Sequence, residues 1–395
     1  MNSKVIPLVA ATLTVFNIAI TIFYIYPNMK TRIPYASNTY QLDPVQYFLA
    51  AVPYGHWVSF EPRLDELREV LSFSKYVRHE LYGLPTKQRP DGKCGNTTIT
   101  SYEHREYRAL CNPTGRTPCC HDNQCVGRDM DQCACAQCID ERREIHAEFA
   151  RYFMCKSSHK FRKFTSRRSI CDVMSGVTLH FYGDSLTDQV YLALLTKALG
   201  GNMTRLFAEN TPKAVESECQ GQRMYVKKCR RWMKYNWRFP NCDLPGKMAA
   251  SLVNGTIDED YLSTLVRRLA ETDDSVMFVG VGLHFRLDIS HVNDIILQRI
   301  LEVKGDSRWP YVIVSGVHHW GVLRSPTETS DSDVRRFNQQ LKTLVSQYGI
   351  AYFDTYELTR NVFSYDGTHY GRGVNQVKAD ILLNVIQILK QRSVQ

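Results

Sequence analysis

Internal repeats and low-complexity tracts are absent from this sequence, which argues against a solenoid or another stacked-repeat architecture. Acidic residues are also comparatively few: 40 Asp and Glu face 49 Lys and Arg, so the net charge is +9. This excess of positive charge favours an acidic partner or surface without saying which. The chain has 395 residues, 44% of them hydrophobic, and is therefore long enough for one large core and a smaller module.

Charged side chains are missing altogether from residues 5–27, "VIPLVAATLTVFNIAITIFYIYP". As a helix this stretch would extend for about 34 Å, against roughly 30 Å of hydrocarbon in a bilayer. A cleaved signal peptide is the alternative, but its apolar region would be only about 7–15 residues long and would lead to a site of small residues. The longer run, with two tyrosines suited to a membrane interface at its end, favours an uncleaved anchor.

Cysteine is abundant, with 13 residues, and eight of them fall between Cys94 and Cys138. Zinc sites favour regular Cys-x2-Cys pairs, whereas this spacing is irregular and includes the adjacent pair Cys119-Cys120. Disulfides in an oxidising compartment are therefore the better interpretation. Three glycosylation sequons agree with that compartment, and these are Asn96, Asn202 and Asn254. Together with the anchor, they predict a single-pass type II protein of the Golgi or another secretory membrane, and a nucleic-acid partner does not fit that compartment.

Composition divides the chain into five predicted segments. They are a cytoplasmic tip and anchor at 1–30, a luminal stem with a short helix at 31–92, a disulfide-rich module at 93–140, a helical and basic linker at 141–170, and the main domain at 171–395. The cysteine order of the module resembles that of the hevein-like chitin-binding module. That family's serine and aromatic residues after the CC pair are missing from "CCHDNQCVG", so we expect a disulfide-stapled knob rather than a sugar site.

From Cys171 onward, apolar β-rich runs alternate with helical patterns. The predicted strands are "VTLHFYG", "SVMFVGVG", "YVIVSGV" and "IAYFDTY", and the predicted helices are 186–199, 258–271, 289–301, 333–348 and 374–391. Such alternation predicts a parallel sheet with helices on both faces. Active sites of these sheets lie beyond the carboxyl ends of the strands, where Ser185 and Gly282 would be found.

A serine lies at the joint of the first strand and helix, in Gly183-Asp184-Ser185. On position alone, Ser185 would be interpreted as a helix N-cap. Near the C-terminus, however, "FSYDGTHYGRG" places Asp366 and His369 three residues apart, directly before the last helix. There the aspartate can accept the imidazole Nδ1–H, which leaves Nε2 free to take the serine proton. The joint occurrence predicts Ser185 as nucleophile, His369 as base and Asp366 as its orienter.

These motifs resemble those of the GDSL/SGNH-like acyl-esterase family, in particular its PC-esterase branch of polysaccharide, capsule and sialic acid O-acetyltransferases. The resemblance covers residues from about Cys171 to the end and implies a three-layer α/β/α sandwich with a Ser/His/Asp triad. By that analogy Asp184 is not the triad aspartate but pins the loop. The wider family's oxyanion asparagine is absent from "GVGLHFR". Gly282 could offer a backbone N–H there, and His284 is equally well explained as a donor or as a packed structural residue.

The sequence therefore predicts a membrane-anchored O-acyl, most simply O-acetyl, esterase or transferase that acts on a glycan through an acyl-enzyme. It leaves open whether water or a sugar hydroxyl takes the acyl group, and a transferase would need an acyl donor such as acetyl-CoA. No bound cofactor is expected, and no metal site, because no carboxylate or third histidine lies at a suggestive spacing from His318 and His319. The alternative is a catalytically silent glycan-binding or adhesion protein.

Overall fold

The structure is a computed structural model that describes residues 43–58, 61–84, 88–149, 151–153, 161–201, 203–239, 246–253, 256–327 and 330–393. Residues 43–395 form one compact unit. The predicted anchor at 5–27 and the sequons at Asn202 and Asn254 lie outside the described residues, whereas Asn96 is described and exposed. Among the helices of the described ranges, none has both the length and the apolar character needed to cross a membrane.

The strands are numbered in chain order. They are β1 His56–Val58, β2 Thr98–Thr100, β3 Glu106–Arg108, β4 Cys119–His121, β5 Gln124–Val126, β6 Arg151–Phe153, β7 Thr178–Gly183, β8 Asn236–Phe239, β9 Gly246–Leu252, β10 Ser275–Gly280, β11 Tyr311–Ser315 and β12 Ala351–Phe353. Six of them form the central sheet in the order β12-β11-β10-β7-β9-β8. Every neighbouring pair in it is parallel except β8 with β9. The predicted α/β class with a mostly parallel sheet is therefore confirmed.

The α-helices are also numbered in chain order. They are α1 Pro44–Ala51, α2 Leu64–Tyr76, α3 Glu141–Glu148, α4 Arg167–Met174, α5 Ser185–Ala198, α6 Lys213–Glu218, α7 Lys227–Arg230, α8 Glu259–Ala270, α9 Ile289–Val292, α10 Gln298–Lys304, α11 Asp331–Gln347, α12 Tyr356–Thr359 and α13 Arg372–Ser393. A wider turn over Asn293–Leu297 joins α9 to α10, so the predicted helix at 289–301 is one continuous helical stretch.

Two apolar layers cover the sheet because side chains alternate between its faces. In β10, Val276 and Phe278 belong to one core cluster, together with residues of α5 and α13. Met277 and Val279 belong to the other, together with residues of α8 and α11. Burial on both faces explains why β7 and β10 appear in the sequence as continuous apolar runs.

The cysteine-rich module contains two short hairpins, β2–β3 and β4–β5. Its eight cysteines form four disulfides: Cys94–Cys120, Cys111–Cys125, Cys119–Cys133 and Cys135–Cys138. The prediction of disulfides rather than zinc is confirmed, because the cysteine groups that could otherwise hold a metal among the described residues are these same bonded sulfurs. A fifth disulfide joins Cys219 to Cys229.

Apolar side chains in the described part of the range predicted as a stem pack into the core. Val45 and Phe48 of α1 are fully buried in the core cluster that contains α5 and α13. The Trp57 indole N–H donates to the Leu358 carbonyl at 3.0 Å, across 301 positions of sequence. The proline-rich, mixed composition of this range suggests a linker, but its apolar residues find partners on the far end of the chain.

Candidate active site

The opening of α5 places Ser185 at the carboxyl end of the central strand. The turn is tight, since a Cβ on Gly183 would lie 2.2 Å from the Gly280 carbonyl oxygen of the neighbouring strand. Asp184 is the N-cap of α5, and its Oδ1 accepts the Leu186 N–H at 3.0 Å. Because Asp184 caps the helix, the hydroxyl of Ser185 is available for another role.

The structure brings Ser185, His369 and Asp366 together in line. Ser185 Oγ lies 2.6 Å from His369 Nε2, and His369 Nδ1 lies 2.7 Å from Asp366 Oδ2. The other carboxylate oxygen accepts the backbone N–H groups of Thr368 and His369 at 2.9 and 2.7 Å. With Nδ1–H donated to the aspartate, Nε2 is the acceptor for the serine hydroxyl, which is the arrangement that general-base catalysis needs.

Asp366 is held as a carboxylate. Burial acts to raise the pKa of Asp366, but the nearby His369 ring and the hydrogen bonds from His369 and Thr368 outweigh it and lower that pKa to about 2. Asp366 has a further donor that is distant in the sequence. The Tyr82 hydroxyl donates to Asp366 Oδ2 at 2.9 Å, across 284 positions of sequence. Burial and the Asp366 charge both raise the pKa of Tyr82, so this group stays protonated and remains a donor.

Helix α5 also supports the loop that carries the histidine. The Tyr365 ring stacks on the His369 ring at 5.9 Å with an angle of 13°. Its hydroxyl accepts from Gln189 Nε2 at 2.7 Å and donates to the Tyr225 carbonyl at 3.0 Å. Since Gln189 lies one turn beyond Ser185, the same rigid helix fixes both the nucleophile and the base.

The strand ends also define where an oxyanion could be stabilised. Gly183 and Gly280 are register partners of β7 and β10, and Ser185 and Gly282 each lie two residues beyond them. Gly282 has a φ of 148°, which side chains rarely adopt. Burial raises the pKa of the Asp184 carboxyl. His284 is exposed. His284 is therefore not a packed core residue.

A cavity of about 220 Å³ adjoins the triad on the side of His369. Two larger cavities, of about 330 and 570 Å³, are lined in part by Tyr311 and Thr178. These are the first residues of β11 and β7, so both cavities lie at the amino ends of the strands, away from the triad. The cavity beside the triad combines residues from the helix end before the disulfide-rich module, from the module itself, from the loop after β11 and from the triad loop: Tyr82, Arg105, Glu106, Tyr107, Arg324, Ser325, Asp366, Thr368 and His369. Sequence reasoning missed its residues outside the triad loop, since none of them stands in a recognisable motif.

Two other histidines that the sequence places near the strand ends lie apart from this cavity. His318 is buried, with Nε2 2.9 Å from Lys378 Nζ, and burial followed by the Lys378 charge lowers the pKa of this histidine. His319 Nε2 lies 3.5 Å from the Asp331 carboxylate. Asp354, which directly follows β12, accepts the Tyr356 N–H at 3.1 Å at the start of α12.

Tyr82→Phe is expected to change the pH dependence of the reaction. Without the hydroxyl, the Asp366 carboxylate has one donor fewer and stabilises the imidazolium more strongly, so the acidic limb of the kcat/KM profile moves to higher pH. The maximal rate should change by no more than about five- to tenfold, the scale of one hydrogen bond of about 1–1.5 kcal/mol. Tyr102→Phe, at a tyrosine of the disulfide-rich module that is 75% exposed, is the control. An unshifted profile in Tyr82→Phe would show that the contact does not tune the triad.

Comparison with known proteins gives little beyond this geometry. No family model matches the chain, and no curated protein matches it. A solved member of the lipolytic protein G-D-S-L family from Veillonella parvula is similar over 53% of this chain and 98% of its own length, with 15% identity and a TM-score of 0.29. A peptidoglycan O-acetylesterase is similar over 57% and 94%, with 10% identity and a TM-score of 0.35. At such values the reaction has to be inferred from the side chains themselves.

Proposed function

We propose that the protein is a serine-dependent O-acyl esterase or acyltransferase that acts on a glycan, with acetyl as the simplest acyl group. The observation that carries the proposal is the in-line contact of Ser185, His369 and Asp366 at 2.6 and 2.7 Å. These side chains lie at the carboxyl edge of a parallel sheet, where α/β proteins place their sites. A serine whose only role was to cap a helix would have no need of an oriented imidazole.

The geometry performs acyl transfer in two halves. His369 Nε2 takes the hydroxyl proton as Ser185 Oγ attacks the acyl carbonyl carbon, and the carbonyl oxygen becomes an oxyanion. The N–H groups of Ser185, at the start of α5, and of Gly282 are the donors assigned to it, and one such donor supplies about 2.7–4 kcal/mol. The intermediate then collapses and the acyl group stays on Ser185. In an esterase the sugar oxygen leaves with the proton from His369, whereas in a transferase the leaving group of the acyl donor departs in its place.

The second half repeats these steps with a different nucleophile. His369 deprotonates water or a sugar hydroxyl, which attacks the acyl-enzyme and restores the Ser185 hydroxyl when the ester bond breaks. Asp366, ionised and held by its donors, stabilises the imidazolium in both halves. Water as acceptor makes the protein an esterase, and a sugar hydroxyl makes it a transferase that draws its acyl group from a donor such as acetyl-CoA.

The proposed setting is the lumen of the Golgi or another secretory compartment, with the chain anchored through residues 5–27. The disulfides favour an oxidising environment. The sequon at Asn96 is exposed and so is accessible for glycosylation.

The direct test is a fluorophosphonate probe on the full chain, purified in detergent from a secretory cell line. We expect the probe to label one site per folded chain and to block the release of acetate from 4-nitrophenyl acetate and from O-acetylated glycans. Adding an unacetylated sugar separates the two forms of the reaction, since only a transferase makes an acetylated sugar. A folded protein that takes no probe and releases no acetate would contradict the proposal in favour of a catalytically silent glycan-binding protein.

A further inference from the structure

We infer that the 220 Å³ cavity beside His369 is the subsite for the alcohol half of the ester, that it takes an acidic sugar, and that the disulfide-rich module forms its outer wall. The inference rests on the proposed function for the identity of the alcohol half. His369 returns its proton to the leaving oxygen, so that oxygen and the sugar attached to it must lie on the imidazole side of the triad. The cavity occupies that side.

The module is fixed to this position by packing and by backbone hydrogen bonds. The Arg108 N–H of β3 donates to the Leu323 carbonyl at 3.1 Å. Tyr107 and Leu110 share a small apolar cluster with Leu323, from the loop that follows β11. At the rim, the Thr327 hydroxyl donates to Glu106 Oε2 at 3.3 Å. The hairpin β2–β3 therefore presents its side chains to the triad loop as a fixed wall.

Two arginines, Arg105 and Arg324, are among the residues that line this cavity. Arg324 stacks over the Trp320 ring at 4.3 Å and donates to Thr368 Oγ1 at 2.9 Å, so it is held beside the triad loop. Arg105 lies at the hairpin, where its nearest carboxylate is that of Glu103 at 3.6 Å, with both side chains more than half exposed. Such a pair contributes little, about 0–1 kcal/mol, so Arg105 can exchange it for a ligand at small cost.

Of the two carboxylates that line the cavity, Asp366 is already engaged and Glu106 is engaged only in part. Asp366 accepts from Tyr82, from the His369 ring and from two backbone N–H groups. Glu106 accepts from Thr327 and keeps lone pairs for further donors. A ligand with an anionic group and several hydroxyls satisfies this set: guanidinium forks pair with a carboxylate or sulfate, and Glu106 accepts from a hydroxyl.

The size of the cavity limits how much of a ligand it holds. Sites that enclose a whole small molecule measure about 300–1,000 Å³. At about 220 Å³, this cavity suits one sugar unit of a longer chain, with the remainder in solvent. We therefore assign it to a single uronic acid or sulfated unit next to the reacting hydroxyl.

The test compares two esters that differ in one group: O-acetylated methyl galacturonoside and O-acetylated methyl galactoside. The wild-type protein should have the lower KM for the acidic ester. Arg105→Gln should raise that KM about fivefold, which is the upper end of the effect expected from losing a partly exposed charge pair. The KM of the neutral ester should stay within about twofold of the wild-type value. Arg267→Gln removes the charge of another exposed arginine, on α8, and is the control that should change neither KM.

Direct binding gives a readout that does not need turnover. Titration calorimetry with unacetylated methyl galacturonoside and methyl galactoside should show that the protein binds the acid more tightly. This preference should be lost in Arg105→Gln. It should also weaken in 0.5 M salt, because the Debye length then falls below about 10 Å and the attraction between exposed charges is screened. Equal binding of both sugars, or an unchanged preference in Arg105→Gln, would overturn the inference. If the protein still hydrolyses 4-nitrophenyl acetate, that result contradicts the acidic subsite but not the proposed function. If it hydrolyses no ester, the proposed function is contradicted, and the binding measurements alone decide whether the cavity takes an acidic sugar.

Discussion

Ser185→Ala should remove probe labelling and ester hydrolysis, with kcat falling by a factor of about 10⁴–10⁶, because the variant lacks the hydroxyl that forms the acyl-enzyme. The fold should persist. Asp184, not Ser185, caps α5, so the free energy of unfolding should change by no more than about 1 kcal/mol. The measurements are the rate on 4-nitrophenyl acetate and on acetylated glycans, together with the thermal unfolding midpoint.

Two further variants make this result decisive. His369→Ala should lose about as much activity as Ser185→Ala, and the double variant should lose no more, because triad members act as a unit. Ser290→Ala is the control: Ser290 is an exposed serine in the first turn of α9, two residues after the capping aspartate Asp288. Wild-type activity in Ser185→Ala would sink the proposed function, and a loss in Ser290→Ala would point to a general effect on the fold.

Asp366→Asn is the second large effect, with an expected loss of about 10⁴ in kcat. An amide at this position can donate to Nδ1 and so favours the imidazole tautomer with its proton on Nε2, which cannot accept from Ser185. The charge that stabilises the imidazolium disappears as well. The measurement is kcat on 4-nitrophenyl acetate across the pH range.

The control for that substitution is Asp354→Asn. Asp354 follows the edge strand β12 and accepts a backbone N–H of α12. The Asp354→Asn protein should therefore retain most of its activity, since Asp354 lies at the start of α12 whereas Asp366 contacts the His369 ring. Comparable losses in the two variants would argue that Asp366 has no special relation to His369.

The sheet was largely predictable because its central strands are buried on both faces. β7, β10, β11 and β12 correspond to the continuous apolar runs of the sequence, and that pattern follows directly from two-sided burial. The sequence does not predict β9, since "GKMAASL" combines small and polar residues, and its identity as a strand comes from pairing with β7 over residues 247–252. β8, an antiparallel edge strand inside a basic segment, has no apolar run to reveal it.

The candidate site was predictable only as far as its motifs reach. Ser185, Asp366 and His369 stand in short patterns whose chemistry is readable. Tyr82, Arg105 and Arg324 stand in none: each is an ordinary residue of a helix end, a hairpin or a loop, and only tertiary packing places it beside the triad. The sequence contains no local signal for a contact between positions 284 residues apart.

That same contact between Tyr82 and Asp366 has a consequence for biosynthesis. A ribosome adds about 5–20 residues per second, so the 284 residues between the two partners take roughly 15–60 s to appear. During this interval the module can oxidise and fold, but the surface that later meets the triad loop stays open to water and to chaperones. The triad is complete only when the last part of the chain has been made, so a prematurely terminated polypeptide would lack Asp366 and His369 and be inert rather than partly active.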